Sequence, residues 1–348
     1  MAERARAFSR ELADVFDITI AYRQDDKRRA IRDFLAVLDA FRPHVSYVFD
    51  LAYSGVFAAA LHRARAGCPW VLDTGDAIYA LAKSAGLRSP LGTLFTGALE
   101  QFGLRAASAV VVRGTEHRIL LSHYGIDATV VQDGVDVAQF LPRPVEELRT
   151  RLGLHDVLSI GVLGSSVWSE RLGMAVGWEL LELLKRFRGS PVKGILIGDG
   201  SGIPVLRQRC SQQGLDRSLL FIGRVPYASV ADYLSAVDVF LSTQTNDLVG
   251  RVRTTGKLPL YLASGRYVLA SRVGEAAHVL PDEMLVEYRG VVDPDYPDRL
   301  AERVETLLAN PERLQAGRAL IQVARKQFSY PVLAKRLRPL LERMAEDR

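Results

Sequence analysis

Short apolar runs alternate along this chain with longer stretches whose apolar residues recur at helical spacing. The opening segment AERARAFSRELADVF sets Ala7, Phe8, Leu12 and Phe16 on one helical face. DITIAYR (17–23) then reads as a strand, and AIRDFLAVLDAF as a helix ended by Arg42–Pro43. HVSYVFDL, PWVLDTGD, SAVVVRG and ATVVQDGVD supply further strands. Between them lie SGVFAAALHRARAG, one long helical stretch through TLFTGALEQFGLRAA, and the short helix EHRILLSHYG. Phe140–Gly153 (FLPRPVEELRTRLG) combines two prolines with many charges and reads as a linker. The pattern then restarts with six strand candidates: VLSIGVLG, KGILIGDG, SLLFIGRV, VDVFLST, RYVLAS and EMLVEY. The tail, from Asp298 through FSYPVLAKRLRPLLERM, is helical.

Strands alternating with helices imply parallel, doubly wound sheets. Two such halves predict a cleft between the carboxyl ends of both sheets, where ligands of open α/β sheets bind. The first half begins at a helix, although a mononucleotide-binding half begins strand, Gly-rich loop, helix. Either the start lies upstream of Met1 or the first sheet is shrunken and rearranged.

Composition narrows the class. At 348 residues the chain exceeds one ordinary core, so two domains are expected. Hydrophobic residues make up 48% and charged residues 24%, as in soluble globular proteins. No apolar run approaches the roughly 20 residues that span a bilayer. Cys68 and Cys210 are the only cysteines, which favours a reducing cytoplasm and, without a Cys/His cluster, gives no metal site. The net charge of +5 suits an anionic substrate or membrane surface and is no nucleic-acid signature by itself.

The densest chemistry lies in Leu241–Glu275, LSTQTNDLVGRVRTTGKLPLYLASGRYVLASRVGE. A buried strand opens into a loop bearing Arg251, Arg253, Thr254, Thr255, Gly256 and Lys257, then passes into the helix LPLYLASG. Free backbone N–H groups at the helix start, its dipole and fixed cations make an anion site, which we assign to a diphosphate.

Four motifs in order resemble the retaining, metal-independent nucleotide-sugar glycosyltransferases of family 4. TVVQDGVDVAQFLP is similar to the end of that family's first domain. GILIGDGSG, SLLFIGRVPYASVADYLSAVDVFLST and KLPLYLASGRYVLAS are similar to successive blocks of its second. The resemblance implies an α/β chain of two Rossmann-like domains facing across a cleft, the GT-B fold. Residues 1–145 would form the acceptor domain, 146–325 the nucleotide-sugar domain, and 326–348 a last helix packing at the junction. It implies a hexosyltransferase of glycan, glycoconjugate or polysaccharide biosynthesis, with no cofactor beyond the nucleoside-diphosphate sugar and no metal. The acceptor would be a glycan, a lipid-linked molecule or a small molecule, and nucleic acid is no partner. The enzyme would be cytoplasmic, with peripheral contact at the inner membrane surface left open.

The family's two glutamates around the basic loop fall here at Val252 and Leu260, which accept no side-chain hydrogen bond. A catalytically degenerate binding or scaffold protein is therefore the alternative. By the same resemblance Ser165, Ser166 and Arg171 in GVLGSSVWSER would donate to phosphate, and Glu275 would read sugar or ribose hydroxyls in place of the missing glutamates. Asp73 is the second catalytic candidate: Asp73 and Asp76 end a strand of the first half, where they would meet acceptor or sugar hydroxyls, unless Asp76 caps the next helix. By the family's Ser-x-x-x-Arg pattern in this loop Arg113 or Glu116 could reach the cleft, unless Glu116 only complements the dipole of the helix it starts, whereas His117 reads as a solvated surface residue. GDGSG (198–202) lacks the distant acidic partner of a dinucleotide fingerprint and reads as a backbone turn. The C-terminal helix pairs an apolar stripe with a basic face, suited to packing or, more weakly, to a membrane surface.

Overall fold

The computed structural model describes residues 2–23, 26–86, 88–170 and 172–346, and in these the β-branched runs become parallel strands. In chain order the first elements are α1 (Ala2–Leu12), α2 (Lys27–Phe41), β1 (Ser46–Phe49), α3 (Tyr53–Ala66), β2 (Trp70–Thr74), α4 (Ile78–Ala85), α5 (Pro90–Ala106), β3 (Ala109–Val112), α6 (Thr115–His123) and β4 (Ala128–Val130). There follow α7 (Val137–Phe140), α8 (Glu146–Leu152), β5 (Leu158–Leu163), α9 (Trp178–Leu184), β6 (Val192–Ile197), α10 (Ile203–Gln212), β7 (Leu219–Gly223), α11 (Tyr227–Ala236) and β8 (Val239–Ser242). The chain closes with α12 (Leu248–Val252), α13 (Lys257–Ser264), β9 (Tyr267–Ser271), α14 (Gly274–Val279), β10 (Leu285–Val286), α15 (Tyr296–Ala309), α16 (Leu320–Val323) and α17 (Tyr330–Glu346).

The chain divides into two units. The first comprises Met1–Gly134, Val252–Thr254 and Phe328–Arg348, and the second Val135–Arg251 and Thr255–Gln327. The expected linker thus belongs to the second unit. Its residues form α7 and α8, which pack on α11 and α13. Cys68 and Cys210 are both buried, and neither is in a disulfide.

The first unit holds a four-stranded parallel sheet in the order β1-β2-β3-β4. Alternate residues face opposite sides of a strand, and both faces here are apolar. Trp70, Leu72, Val110 and Val112 pack with Val56, Leu99 and Leu104 of α3 and α5. Val71, Val111 and Val131 pack with Phe8 and Leu12 of α1 and with Leu333, Leu337 and Leu340 of α17. The apolar stripe of α17 is thereby buried and unavailable to a membrane.

Residues 17–23 form no strand despite their alternating pattern. A cavity of about 560 Å³ separates them from the open edge of β1, with Ile18, Ile20, Phe34 and Val48 among its walls. Without a partner within hydrogen-bonding reach, alternation alone makes no ladder. The long helix expected after β2 is also broken, because Gly86 at φ +65° ends α4 and Ser89 starts α5 by accepting from the Gly92 N–H.

The second unit holds a six-stranded parallel sheet in the order β10-β9-β8-β5-β6-β7. The chain runs outward from β5 to β7, then returns to lay β8 on the other side of β5. The connections that follow β5 and β8 leave in opposite directions, making the carboxyl ends of these two strands the topological switch point.

Candidate active site

Two tight turns build the switch point of the second unit. After β5 the chain turns through Gly164 (φ +143°), and after β6 through Gly198 (φ +137°) and Gly200 (φ +151°). A Cβ on Gly198 would lie 1.9 Å from the Gly164 carbonyl oxygen, and one on Gly200 2.3 Å from that of Ser166. Backbone therefore presses on backbone, tied by Ser166 N–H to Asp199 O at 3.0 Å and Gly202 N–H to Ser166 O at 2.8 Å. The GDGSG motif does the turning expected of it.

The loop after β8 reaches the same place. Gly161 lacks the Cβ that would meet the Phe240 ring at 2.8 Å, and Phe240 stacks on Tyr261 with centroids 4.4 Å apart. Tyr261 then accepts a 2.8 Å hydrogen bond from the Leu163 N–H. Stack and bond fix α13 to the end of β5. As a result Lys257, its first residue, extends over the first turn, with Nζ 3.7 Å from where a Cβ of Gly164 would be.

Helix α13 offers fewer backbone donors than a helix start usually does. The Leu258 N–H is spent on Thr255 O at 3.1 Å, and Pro259 has none. Thr255 there is half-buried, and Gly256 is exposed with open space around it. Arg251 is exposed at the end of α12. Glu275 is buried in the first turn of α14, where Gly274 lies against the Arg251 carbonyl. Ser165 is exposed, but Ser166 is buried and its hydroxyl donates to Val176 O at 2.7 Å. With its N–H spent on Asp199, Ser166 keeps no donor for a phosphate. Arg171 lies outside the described residues.

One acidic residue here was missed from the sequence. Glu179, inside the apolar-looking WELLELL, is buried and accepts from the Gly177 N–H at 3.1 Å. Burial pushes its carboxyl up, tempered by backbone N–H groups, by Lys257 and by the Thr243 hydroxyl.

In the first unit the carboxyl end of β2 carries a buried ionic hub. Asp73 is fully buried. Its Oδ1 accepts from Arg113 Nε at 2.9 Å, and its Oδ2 from Arg4 Nε at 2.9 Å and Tyr47 OH at 2.8 Å. Arg113 also donates to Asp50 at 2.7 Å, holding that residue at φ +63°, and Arg4 donates to the carbonyls of Val131 and Gln132. Burial alone would raise the Asp73 carboxyl, but Arg4 and Arg113, with the Tyr47 hydrogen bond, hold it below the usual carboxylate range. Both oxygens are engaged, so Asp73 is placed to position the loops around it rather than to touch a substrate.

Asp76 does not cap α4. Glu100 does so instead, accepting from the Ile78 and Tyr79 N–H groups at 2.7 and 3.1 Å. Asp76 Oδ1 is buried without a hydrogen bond, 3.6 Å from Arg253. Burial raises its carboxyl, partly countered by Arg253 and Arg113. Thr254 donates to Asp133 at 3.1 Å, so the middle of the basic loop belongs by contact to the first unit. His117 is buried rather than solvated, its Nδ1 without a partner, and burial followed by nearby Arg113 lowers it to about 4. Glu116 is half-buried at the start of α6. Among the described residues no group of three His, Cys, Asp or Glu side chains is placed to hold a metal ion.

Residues 158–310 match the family model of glycosyl transferases group 1, a stretch running from β5 through α15. The sucrose-phosphate synthase of Thermosynechococcus elongatus superposes with a TM-score of 0.75 at 17% identity, over 96% of this chain and 82% of that one. Anabaena Alr3699/HepE, solved with UDP and glucose, superposes at 0.73 with 16% identity, over 90% and 81%. The fold is GT-B. Within it the match to the group 1 glycosyl transferase model falls inside the second unit, apart from Val252–Thr254. In sequence the GT-B chain is similar to alpha-monoglucosyldiacylglycerol synthase of Streptococcus pneumoniae, 25% identical over 303 residues and 82% of this chain. It is also similar to one component of the phosphatidylinositol N-acetylglucosaminyltransferase of Arabidopsis thaliana, 23% identical over 301 residues and 84% of this chain. The GT-B chain spans 65% and 60% of the lengths of these two relatives.

Proposed function

We propose that the chain transfers a sugar from a nucleoside diphosphate to an acceptor with retention at the anomeric carbon. The observation that carries this reading is Lys257 held over Gly164 at the β5/β8 switch point. When the bond from the anomeric carbon to the diphosphate breaks and one to an acceptor hydroxyl oxygen forms, negative charge collects on the departing phosphates. Lys257 offsets that charge together with Arg251 and Arg253, and Arg171 by family resemblance, in the role a metal fills elsewhere. Glu275, buried beside the loop, is assigned to the donor's hydroxyls. Asp73 acts at a distance, holding Arg113 and Arg4 in place. The acceptor is a sugar or a lipid; the diacylglycerol and phosphatidylinositol in the relatives' names support the second.

Val252 and Leu260 favour a second reading, a binding protein that no longer transfers, because neither can accept a hydrogen bond from a ribose or sugar. Thermal unfolding against nucleoside diphosphates and their sugars, followed by a transfer assay with the sugar that binds, separates the two. The transferase reading expects a donor to raise the melting temperature, by about 2.7 kcal/mol of stabilisation at a hundredfold excess over Kd, and the label to reach a sugar or lipid acceptor. Stabilisation without transfer supports the second reading. No stabilisation by any nucleotide overturns both.

A further inference from the structure

Helix α5 has two apolar faces and only one of them is covered. Thr96, Leu99, Glu100, Gly103 and Leu104 face the core. On the opposite side Leu91, Leu94, Phe95, Ala98 and Phe102 fall at i, i+3, i+4, i+7 and i+11, one continuous stripe. Leu91 is 79% exposed, Leu94 67% and Phe95 54%, far more than a core-facing helix leaves in water.

The stripe continues onto its neighbours. Tyr79 of α4 is exposed and lies against Gly97, where a Cβ would come within 2.8 Å of its ring. Phe102 packs on the half-exposed Phe57 of α3, with centroids 5.7 Å apart. Beyond that pair an open groove of about 740 Å³ runs among Ile31, Phe57, Leu61, Phe102 and Ala106, with Arg63 at its rim. A contiguous apolar patch of this extent marks an interaction surface.

The charges around it select the partner. Between Asp76 and Glu116 the sequence has one acidic residue, Glu100, and it is buried with both oxygens engaged at the start of α4. The same stretch exposes Lys83, Arg88 and Arg105, while α2, which supplies Ile31 to the groove, exposes Arg29 and Arg32 along with Asp39 and the half-exposed Asp33, leaving the surround basic on balance. A second copy of the patch would bring like charges together at the rim. An anionic bilayer is complementary to both parts, taking the apolar stripe into its headgroup boundary and the long cationic side chains at its phosphates.

We propose that α5, with Tyr79 and the α3 groove, is a docking face for the surface of an anionic phospholipid bilayer. The face lies in the first unit and does not depend on the transferase reading. Among the described residues no helix is long and apolar enough to cross a membrane, so the contact is peripheral.

The test is co-sedimentation of the full chain with vesicles of phosphatidylcholine alone or mixed with phosphatidylglycerol, at low and raised salt. The parent chain should pellet with the mixed vesicles and be released by salt. Leu94→Ser/Phe95→Ser should weaken partitioning by about tenfold or more, and Lys83→Glu/Arg88→Glu should remove the preference for the anionic lipid, at an unchanged melting temperature in both. The proposal is overturned if the parent chain stays in the supernatant with both vesicles, or if the serine pair sediments as the parent does. It is equally overturned if the serine pair converts a dimer into a monomer, by light scattering, without changing vesicle binding. That last result would assign the face to a second copy.

Discussion

Replacing Asp73 by Asn removes one negative charge and leaves the side-chain volume almost unchanged. Arg4 and Arg113 are 4% and 5% exposed, so the lost charge cannot be replaced by water. Breaking a buried ion pair from one side costs about 3–5 kcal/mol. Here each guanidinium keeps another carboxylate: Asp50 is 2.7 Å from Arg113, and Asp133 is 3.8 Å from both arginines. That places the cost at the lower end, about 3 kcal/mol. For a unit of this size it lowers the melting temperature of the first unit's transition by about 6–12 °C, followed by circular dichroism or calorimetry. The pH dependence has a sign as well. The folded carboxyl titrates below its unfolded value, so its stabilisation is fully present above the ordinary range near pH 4 and is lost as pH falls through the folded value. The parent chain should lose stability there more steeply than Asp73→Asn. A variant within about 2 °C of the parent, with the same acid limb, would refute the view that the hub is a coupled ionic structure.

His117 acts with the same sign in a higher window. Its folded pKa of about 4 lies below the ordinary value near 6.5, so the unfolded chain takes up a proton that the folded chain refuses, and stability declines as pH falls from about 6.5 to 4. His117→Gln should flatten that limb by on the order of 3 kcal/mol, measured by denaturant titration across this range. Gly198→Ala places a Cβ 1.9 Å from a carbonyl oxygen and should cost roughly 3–5 kcal/mol in the second unit. Gly189→Ala, at φ +76° with open space around it, should cost only about 1–2 kcal/mol. Lys257→Met should weaken binding of the nucleoside diphosphate that stabilises the parent by about 10- to 100-fold, by calorimetry.

Much of the fold was legible because the central strands are buried on both faces and read as unbroken branched runs. β2, β3, β5, β6, β8 and β9 lie where those runs are, but the stretch after β8 that reads as one loop contains the short helix α12, which takes in Arg251. What failed depended on partners far along the chain. Residues 17–23 alternate like a strand but face a cavity rather than an edge. Arg4, one polar position on an amphipathic helix, gave no sign that it would meet Asp73, 69 residues later. His117 looked solvated amid the polar residues of α6, and Glu179 looked incidental in an apolar helix, because burial is decided by packing rather than by sequence neighbours. Asp76 lost its capping role to Glu100, which two helices meeting at a shared corner bring to the start of α4. Ser166 matched a phosphate-binding pattern, but a second turn claimed both its donors.

The covering of α1 and the sheet by α17 bears on how the protein is made. A ribosome releases residues 1–134 early, yet the apolar face formed by Phe8, Val71 and Val111 waits for Leu333 and Leu337. The second unit needs nothing beyond Gln327 and apart from Val252–Thr254 is continuous, so it can reach its final packing before the first. Domains usually mature in the order they are synthesised. Here residues 1–134, which carry α1 and the sheet, complete that face only once α17 has been made, whereas the second unit does not wait for it.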